Sequence, residues 1–443
     1  MELLLIAIFV TGYLAITLEH TLKIDKLIPA LAMMALLWAI VAVTHLPVFE
    51  VDTALKELKP THLDEILLHH LGKTAEILIF LLGAMTIVEI IDYFNGFATI
   101  KSFIKTKKLK SLLWIFTLLG FILSAIIDNL TATIVLITIL QKVIKQRDQR
   151  IWFAGLIIIA ANAGGAWSPI GDVTTTMLWI GKKVTTAKLI SFLLLPSFVC
   201  LVVPVLIASY LPAFRGELQS VENDEVGTEH KHGSTMLYLG LSAIVFVPIF
   251  KTLTHLPPYV GMMLSLAVVA TFAEIFSNAK INITSIDEEH TQHANHSPVH
   301  SSLSKIELPS ILFFLGILMA VAALESLGLL FGFAGSLNQA IPNTDIVIAL
   351  LGVGSAVIDN VPLVAASIGM FSEPTDNPLW HFIAFSAGTG GSMLIIGSAA
   401  GVVAMGMEKI DFFWYMKKIS GLAFIGFTTG AITFILLRDF IFV

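Results

Sequence analysis

Ser124-Ala125-Ile126-Ile127-Asp128-Asn129-Leu130-Thr131 lies inside a long apolar run, and Ser355-Ala356-Val357-Ile358-Asp359-Asn360-Val361-Pro362 repeats its pattern in the second half of the chain. A carboxylate followed by an amide, twice, in hydrophobic sequence needs a reason. A charged side chain at a bilayer centre costs roughly 2.5–3.5 kcal/mol on insertion scales, so such residues mark functional sites by default. The two copies read as the two halves of an ion site.

The surrounding composition fixes the class. Of 443 residues, 56% are hydrophobic and 13% charged, about half the charge of an ordinary soluble chain. Apolar stretches long enough to span a bilayer recur from end to end, as in a polytopic helical membrane protein. A net charge of −6, dispersed along the chain, gives no reason to expect nucleic acid as a partner. The one cysteine, Cys200, sits in an apolar run and reads as a packed thiol. The N-terminus has no cationic region and no small-residue cleavage site, so its apolar run reads as a retained helix.

Spans are expected at about Leu3–Leu18, Leu27–Leu46, Glu76–Phe97 and Leu189–Leu211, with Val48–Thr74 as a polar amphipathic connector. In the second half they are expected at Thr235–Leu253, Val260–Phe276, Leu308–Phe331 and Phe412–Leu437. Two runs are split by the Asp-Asn pairs, about 112–140 and 344–370. Two others are broken by glycines, about 151–180 and 379–407. The order repeats: residues 1–213 form one half, 214–234 an acidic linker and 235–443 the other half, with a polar, histidine-rich loop at 278–306.

The repeat is visible in residues. Ser124–Asn129 matches Ser355–Asn360, Gly164-Gly165 matches Gly390-Gly391, and Gly171 matches Gly397. Such duplication points to a transporter built from two repeats. Leu112–Leu140 contains no Lys, Arg or Glu, and its only polar break is Asp128-Asn129. A re-entrant helical hairpin explains that break, because irregular backbone is tolerated where protein buries it or a wet cavity lines it. Each half then has about five transmembrane helices, one hairpin and one broken helix. An odd number of crossings inverts the halves relative to each other. Most of the 26 Lys and Arg residues fall on one side, which the positive-inside rule makes cytoplasmic and which puts both termini outside.

Broken helices suit ion sites because unwound carbonyls and helix ends can coordinate ions. Oxygen-bearing side chains crowd the breaks: Asn162, Ser168, Asp172, Thr174 and Thr175 in the first half, Ser392 and Ser398 in the second. Hard cations prefer such ligands. Asp128, Asp172 and Asp359 would repel an anion and match Na⁺ or Li⁺. Burial favours the neutral form of a carboxylate, so a buried Asp can hold a proton or a sodium ion in turn, and activity should rise with pH. Thr131 follows Asp128, whereas Pro362 occupies the position after Asn360 and Val361; Asp172 aligns with Ser398. The first half is therefore the richer ligand set. Plainer roles compete: Asp-Asn is good turn chemistry, Asp172 is placed to cap Val173–Ile180, the threonines can bond between helices, and Ser124 and Ser355 can be small packing residues. Glu19 ends the first span as an interfacial carboxylate or part of a proton path. Glu89 and Glu325, near-symmetric in the halves, are further proton-path candidates. His290, His293, His296 and His300 read as a solvated loop or a pH or metal sensor.

The paired Ser-Ala-Xaa-Xaa-Asp-Asn motifs, Asn162-Ala163-Gly164-Gly165, Ser168-Pro169-Ile170-Gly171-Asp172-Val173-Thr174-Thr175 and Gly388-Thr389-Gly390-Gly391-Ser392 with Ile396-Gly397-Ser398 resemble those of NhaD-type sodium/proton antiporters. That family belongs to the ion transporter superfamily, beside arsenite and dicarboxylate carriers. The resemblance implies a homodimeric antiporter of a bacterial inner membrane that exports Na⁺, and often Li⁺, for H⁺ by alternating access, with no cofactor. It implies roles for Asp128, Asn129, Asp172, Thr174, Thr175, Ser355, Asp359, Asn360, Ser392 and Ser398, and strengthens the case for Glu19. The dicarboxylate branch carries Ser-Asn-Thr at its hairpin tips; Asp replaces that Ser here, which argues against a carboxylate substrate. An arsenite or dicarboxylate carrier is the alternative, then an ion channel. No Ser/His, zincin or phosphate-loop motif supports an enzyme.

Overall fold

The computed structural model describes residues 1–17, 23–52, 57–101, 106–218, 232–278, 297–306, 308–330, 332–333, 340–357 and 360–440. Glu19, Asp359, His290, His293 and His296 lie outside the described residues. Nearly all regular structure is helical, and seven described helices are long and apolar enough to cross a membrane.

The chain opens with α1 (Glu2–Thr17) and α2 (Leu27–Val43). The expected connector is instead a strand pair and the start of a helix. β1 (Val48–Asp52) pairs antiparallel with β2 (Glu57–Thr61), Glu50 opposite Lys59. Phe49-Glu50-Val51-Asp52 alternates apolar and polar residues, the pattern of a strand. Trp38, Leu46, Leu63 and Leu327 pack against buried Val41, Val48 and Ile66, which pins the ribbon to its neighbours. α3 (Leu63–Tyr93) then runs 31 residues, roughly 46 Å at 1.5 Å per residue and longer than an apolar core of roughly 30 Å. Its polar first turns, with Asp64 and Glu65 at the positive end of the helix dipole, explain why hydropathy alone placed its start too late.

After the short α4 (Ala98–Lys101), the first split run is α5 (Leu109–Ile127) and α6 (Asn129–Val143), broken at Asp128 as expected. α7 (Arg147–Gly165) and α8 (Val173–Ile180) flank the first glycine break. α9 (Thr186–Ala208) and a 3₁₀ turn at Pro212–Phe214 close the first half. Next come α10 (Gly233–Thr254), α11 (Pro258–Asn278), α12 (Pro298–Leu303) and α13 (Leu308–Ser326). α14 (Thr344–Gly354) and α15 (Asn360–Met370) are the second pair of arms. α16 (Pro378–Gly390) and α17 (Ala399–Glu408) flank the second glycine break, and α18 (Phe412–Lys418) and α19 (Ser420–Phe440) end the fold.

Two compact units divide these elements. One comprises Met1–Leu78, Lys107–Leu218 and Pro309–Val443; the other comprises Ile79–Thr106 and Gln219–Leu308. The first holds both split runs and both broken helices. Within it α9 and α19 pack along their lengths. A side chain on Gly426 would meet the Cys200 carbonyl at 2.5 Å, and one on Gly430 the Pro196 carbonyl at 2.9 Å. Pro204 removes the helical donor that the Cys200 carbonyl would otherwise receive. The Gly426-Xaa-Xaa-Xaa-Gly430 spacing thus brings two backbones close, as small residues do in membranes. In the second unit, Gly83 packs beneath Met262 and Met263 and Gly240 beneath Ile91.

Candidate ion-binding site

Asp172 ends the first glycine break and caps α8. Its Oδ1 accepts from the Thr174 amide and the Thr174 hydroxyl, each at 2.9 Å, and the Thr175 hydroxyl donates to its carbonyl at 2.9 Å. Capping explains why a carboxylate follows Gly171: an oxygen there satisfies amides that a helix start leaves unpaired. The carboxylate that caps α8 also receives side chains from elsewhere in the chain. Asn129, first residue of α6, donates its Nδ2 to Asp172 Oδ2 at 2.8 Å. Asn360, first residue of α15, donates its Nδ2 to the same oxygen at 3.1 Å and to Oδ1 at 3.3 Å. The tips of both split runs therefore converge on one carboxylate, which is 2% exposed.

Asn162 of α7 extends the cluster. Its Oδ1 accepts from Asn129 at 3.2 Å, while its Nδ2 donates to the Ile158 carbonyl at 2.9 Å and to Ser398 Oγ at 3.1 Å. Ser398 caps α17 through the Gly401 amide, as Asp172 caps α8. One buried network thus joins two tips and two helix breaks. Its oxygens belong to Asp172, Asn129, Asn162, Asn360 and Ser398, a hard-ligand set. Among the described residues no cluster of His, Cys, Asp and Glu could hold a softer metal.

Asp128 stands beside this network with its own partners. Its Oδ1 accepts from the Thr131 amide at 2.7 Å and its Oδ2 from the Thr131 hydroxyl at 2.8 Å. The Asp172 charge acts on it electrostatically. Its backbone has φ +98° and ψ +159°, a region almost reserved for glycine that costs roughly 1–3 kcal/mol and clusters at functional sites. The chain accepts that strain where α5 must end and α6 begin one residue later.

The two halves are built alike. Ser124 Oγ donates to the Ala161 carbonyl, and its counterpart Ser355 donates to the Ala387 carbonyl at 2.8 Å. A side chain on Gly164 would collide with the Phe121 carbonyl, and one on Gly390 with the Gly352 carbonyl. Gly165 faces Gly171, and Gly391 faces Gly397. So Ser124, Ser355 and the glycines lock each split run onto its broken helix rather than reaching into the network. Ser168 receives the Ile170 amide within the first break, and Ser392 donates to the Thr389 carbonyl at the second. Neither bonds to Asp172.

Glu325, near the end of α13, lies against Gly369 of α15, and Lys73 and Lys183 act on it electrostatically. Glu89 is half-buried in the second compact unit. Sequence reasoning missed three contacts. Arg150 Nε sits 3.0 Å from each oxygen of buried Glu408, and its Nη1 donates to the Ile144 and Lys145 carbonyls. Tyr415 donates its hydroxyl to the Ser392 carbonyl at 2.7 Å, bracing the second break. His381, fully buried, stacks on Phe192 and points Nε2 at Asp376, 3.5 Å away. A Glu at the end of an otherwise apolar helix was the one available signal for the first.

Comparison with known proteins agrees with this architecture. A family model described as "Citrate transporter" matches residues 13–380. "Sodium/proton antiporter 1" of Arabidopsis thaliana is 42% identical across 98% of this chain and 72% of its own length. "Na(+)/H(+) antiporter NhaD" of Vibrio cholerae is 31% identical across 93% of this chain and 86% of its own. The crystal structure of the Alcanivorax borkumensis YdaH transporter superposes with a TM-score of 0.59 at 14% identity, covering 94% of this chain and 98% of that one, and so shares the fold. The chain is a multi-pass membrane protein of the citrate-transporter family within the ion transporter superfamily, in the branch that holds the NhaD antiporters.

Proposed function

We propose that the protein exchanges Na⁺, and also Li⁺, for H⁺ across an energised membrane, and that the cation binds at Asp172. The observation that carries this reading is the convergence of Asn129 and Asn360 on the Asp172 carboxylate. Amide and hydroxyl donors surround the Asp172 carboxylate. Rotation of either asparagine amide turns a donor into an oxygen ligand, because the two ends of the group are close to isosteric. Asn162 Oδ1 and Ser398 Oγ lie within the same network as further ligands. A proton on Asp172 or Asp128 removes the charge that holds the cation, so the two cargoes compete for one site. Asp359 is assigned the matching role at the second tip, and Glu19, Glu89 and Glu325 a proton path.

Alternating access follows from the duplicated arms: residues 1–213 and 235–443 act as inverted repeats whose tips expose the site to each side in turn. The working form is a homodimer, in a membrane such as the bacterial inner membrane, with both termini on the non-cytoplasmic side. In everted vesicles, Na⁺ or Li⁺ should dissipate an imposed proton gradient. No response to either cation at neutral or alkaline pH overturns the proposal.

Citrate or another carboxylate is the rival substrate, since the family model carries that description. The described residues of the network hold one carboxylate and no Lys or Arg, which favours a cation. Radiolabelled citrate and succinate uptake separates the two readings.

A further inference from the structure

Away from the Asp172 network, a cleft of about 450 Å³ opens between the start of α5 and the segment that follows α9. Lys108, Lys110, Ser209, Tyr210, Arg215 and Glu217 line it. Its floor is fixed by backbone. The Leu109 amide donates to the Gly216 carbonyl at 3.2 Å and the Leu218 amide to the Lys107 carbonyl at 2.9 Å, so Lys108 and Glu217 face each other as an antiparallel bridge. Residues opposed in this way bring their side chains within reach, and Glu217 can offset Lys108. Lys110 and Arg215 then remain as the cleft's surplus positive charge. Lys110 rests its ammonium 4.6 Å from the centre of the Tyr210 ring. Arg215 uses one nitrogen on the Tyr210 carbonyl at 3.2 Å, which anchors the guanidinium to its own wall of the cleft and leaves further N–H groups of its fork to donate. The α5 dipole adds positive potential from the same side, and the N-cap residue, Lys108, makes no side-chain capping bond.

Position selects the ligand. The cleft sits where the span α9 ends and the long apolar α5 begins, so a bilayer crossed by these two helices would hold it at headgroup depth. Tyr210 is 65% exposed there, and buried Phe214 behind it packs edge-on to Trp152, which in turn meets Trp414. Such aromatic clusters mark the membrane interface. We propose that this cleft binds a phosphate oxyanion, with Arg215 and Lys110 as its ligands, supplied by the headgroup of an anionic lipid. Arg suits this chemistry through paired N–H donors, Lys through point charge. Basic clefts at the cytoplasmic ends of membrane helices bind anionic headgroups by the same physics. The proposal does not depend on which ion the transporter carries.

Native mass spectrometry on the full-length protein, delipidated in detergent and titrated with phosphatidylglycerol, phosphatidylcholine or inorganic phosphate, tests it. Phosphatidylglycerol adducts should form preferentially. Lys110→Gln and Arg215→Gln should each weaken them roughly fivefold, as expected for one basic side chain at a membrane surface, and Arg215→Lys should recover part of the loss. Thermal unfolding without lipid identifies a variant that fails to fold, and Lys417→Gln, on α18, is the charge control. Inorganic phosphate that displaces phosphatidylglycerol at comparable concentration would assign the cleft to a soluble phosphate and overturn the lipid source. Equal binding of the two lipids, or unchanged binding by Lys110→Gln and Arg215→Gln, overturns the site itself.

Discussion

Asp172 and Asp128 are two carboxylates two helices apart in the chain with different neighbours, and substitution should separate them. Asp172→Asn keeps the shape but turns one oxygen into a donor that faces the amides of Asn129 and Asn360. Buried donors left without acceptors cost about 1–3 kcal/mol each. Exchange should fall at least about a hundredfold, with the melting temperature lowered and Na⁺ no longer raising it. An Asp172→Asn protein that Na⁺ still stabilises would remove this residue from the site. Asp128 behaves differently because its backbone is strained. Asp128→Gly removes the cap, which costs only a few tenths of a kcal/mol for glycine, and releases roughly 1–3 kcal/mol of backbone strain. It should therefore melt at or above the parent temperature while losing exchange, whereas Asp128→Ala, still strained and uncapped, should melt lower. The same melting temperature for both would mean that no strain resides there. The special status of both aspartates was legible, because a carboxylate in apolar sequence is conspicuous. The partners were less so. That Asn129 and Asn360 both reach Asp172, across 43 and 188 residues of sequence, is a fact of tertiary packing that no spacing encodes.

At the scale of elements, the broken helices and split runs were the readable part, since glycine pairs and Asp-Asn interruptions punctuate long apolar runs. The β ribbon was hidden by its length: four residues of alternation do not stand out inside a polar connector. The start of α3 was hidden because its first turns are polar. What sequence also left open was why the glycines are there. They are contact points: Gly164 and Gly390 let the α7 and α16 backbones touch α5 and α14. Gly390→Ala should therefore unseat α14 and cost about 1–3 kcal/mol, the usual range for overpacking. Gly406→Ala in α17, with open space around it, should be neutral or stabilise slightly through helix propensity. Thermal unfolding of the two side by side checks this, and similar melting temperatures would show that the close approach is unimportant. Arg150 makes the complementary point for charges. Sequence could use it only as a topological marker, yet it closes the ends of α6 and α17 together by bonding Glu408, Ile144 and Lys145. Arg150→Met strands a buried carboxylate and should destabilise by roughly 3–5 kcal/mol, much of it recovered in the Arg150→Met, Glu408→Met pair.

For the whole molecule, coupling reduces to a competition that has a definite sign. A proton and a sodium ion cannot both neutralise the same buried carboxylate, so the apparent Na⁺ half-saturation should fall as pH rises while the maximal rate stays nearly constant. One competing proton permits at most about a tenfold change per pH unit, by the linkage between proton binding and affinity. Two protons released on Na⁺ binding permit a hundredfold. Half-saturation measured in proteoliposomes across a pH series therefore reads the number of coupled carboxylates directly. A slope near one implicates Asp172 alone; a steeper slope that Asp128→Asn flattens would place both aspartates in the exchange. If the maximal rate changes with pH and the half-saturation does not, protons act at a separate site and direct competition at Asp172 is wrong. His381, buried 3.5 Å from Asp376 and outside the Asp172 network, supplies the control. His381→Gln should leave the slope unchanged, because it alters a buried polar side chain without touching the oxygens of the Asp172 network.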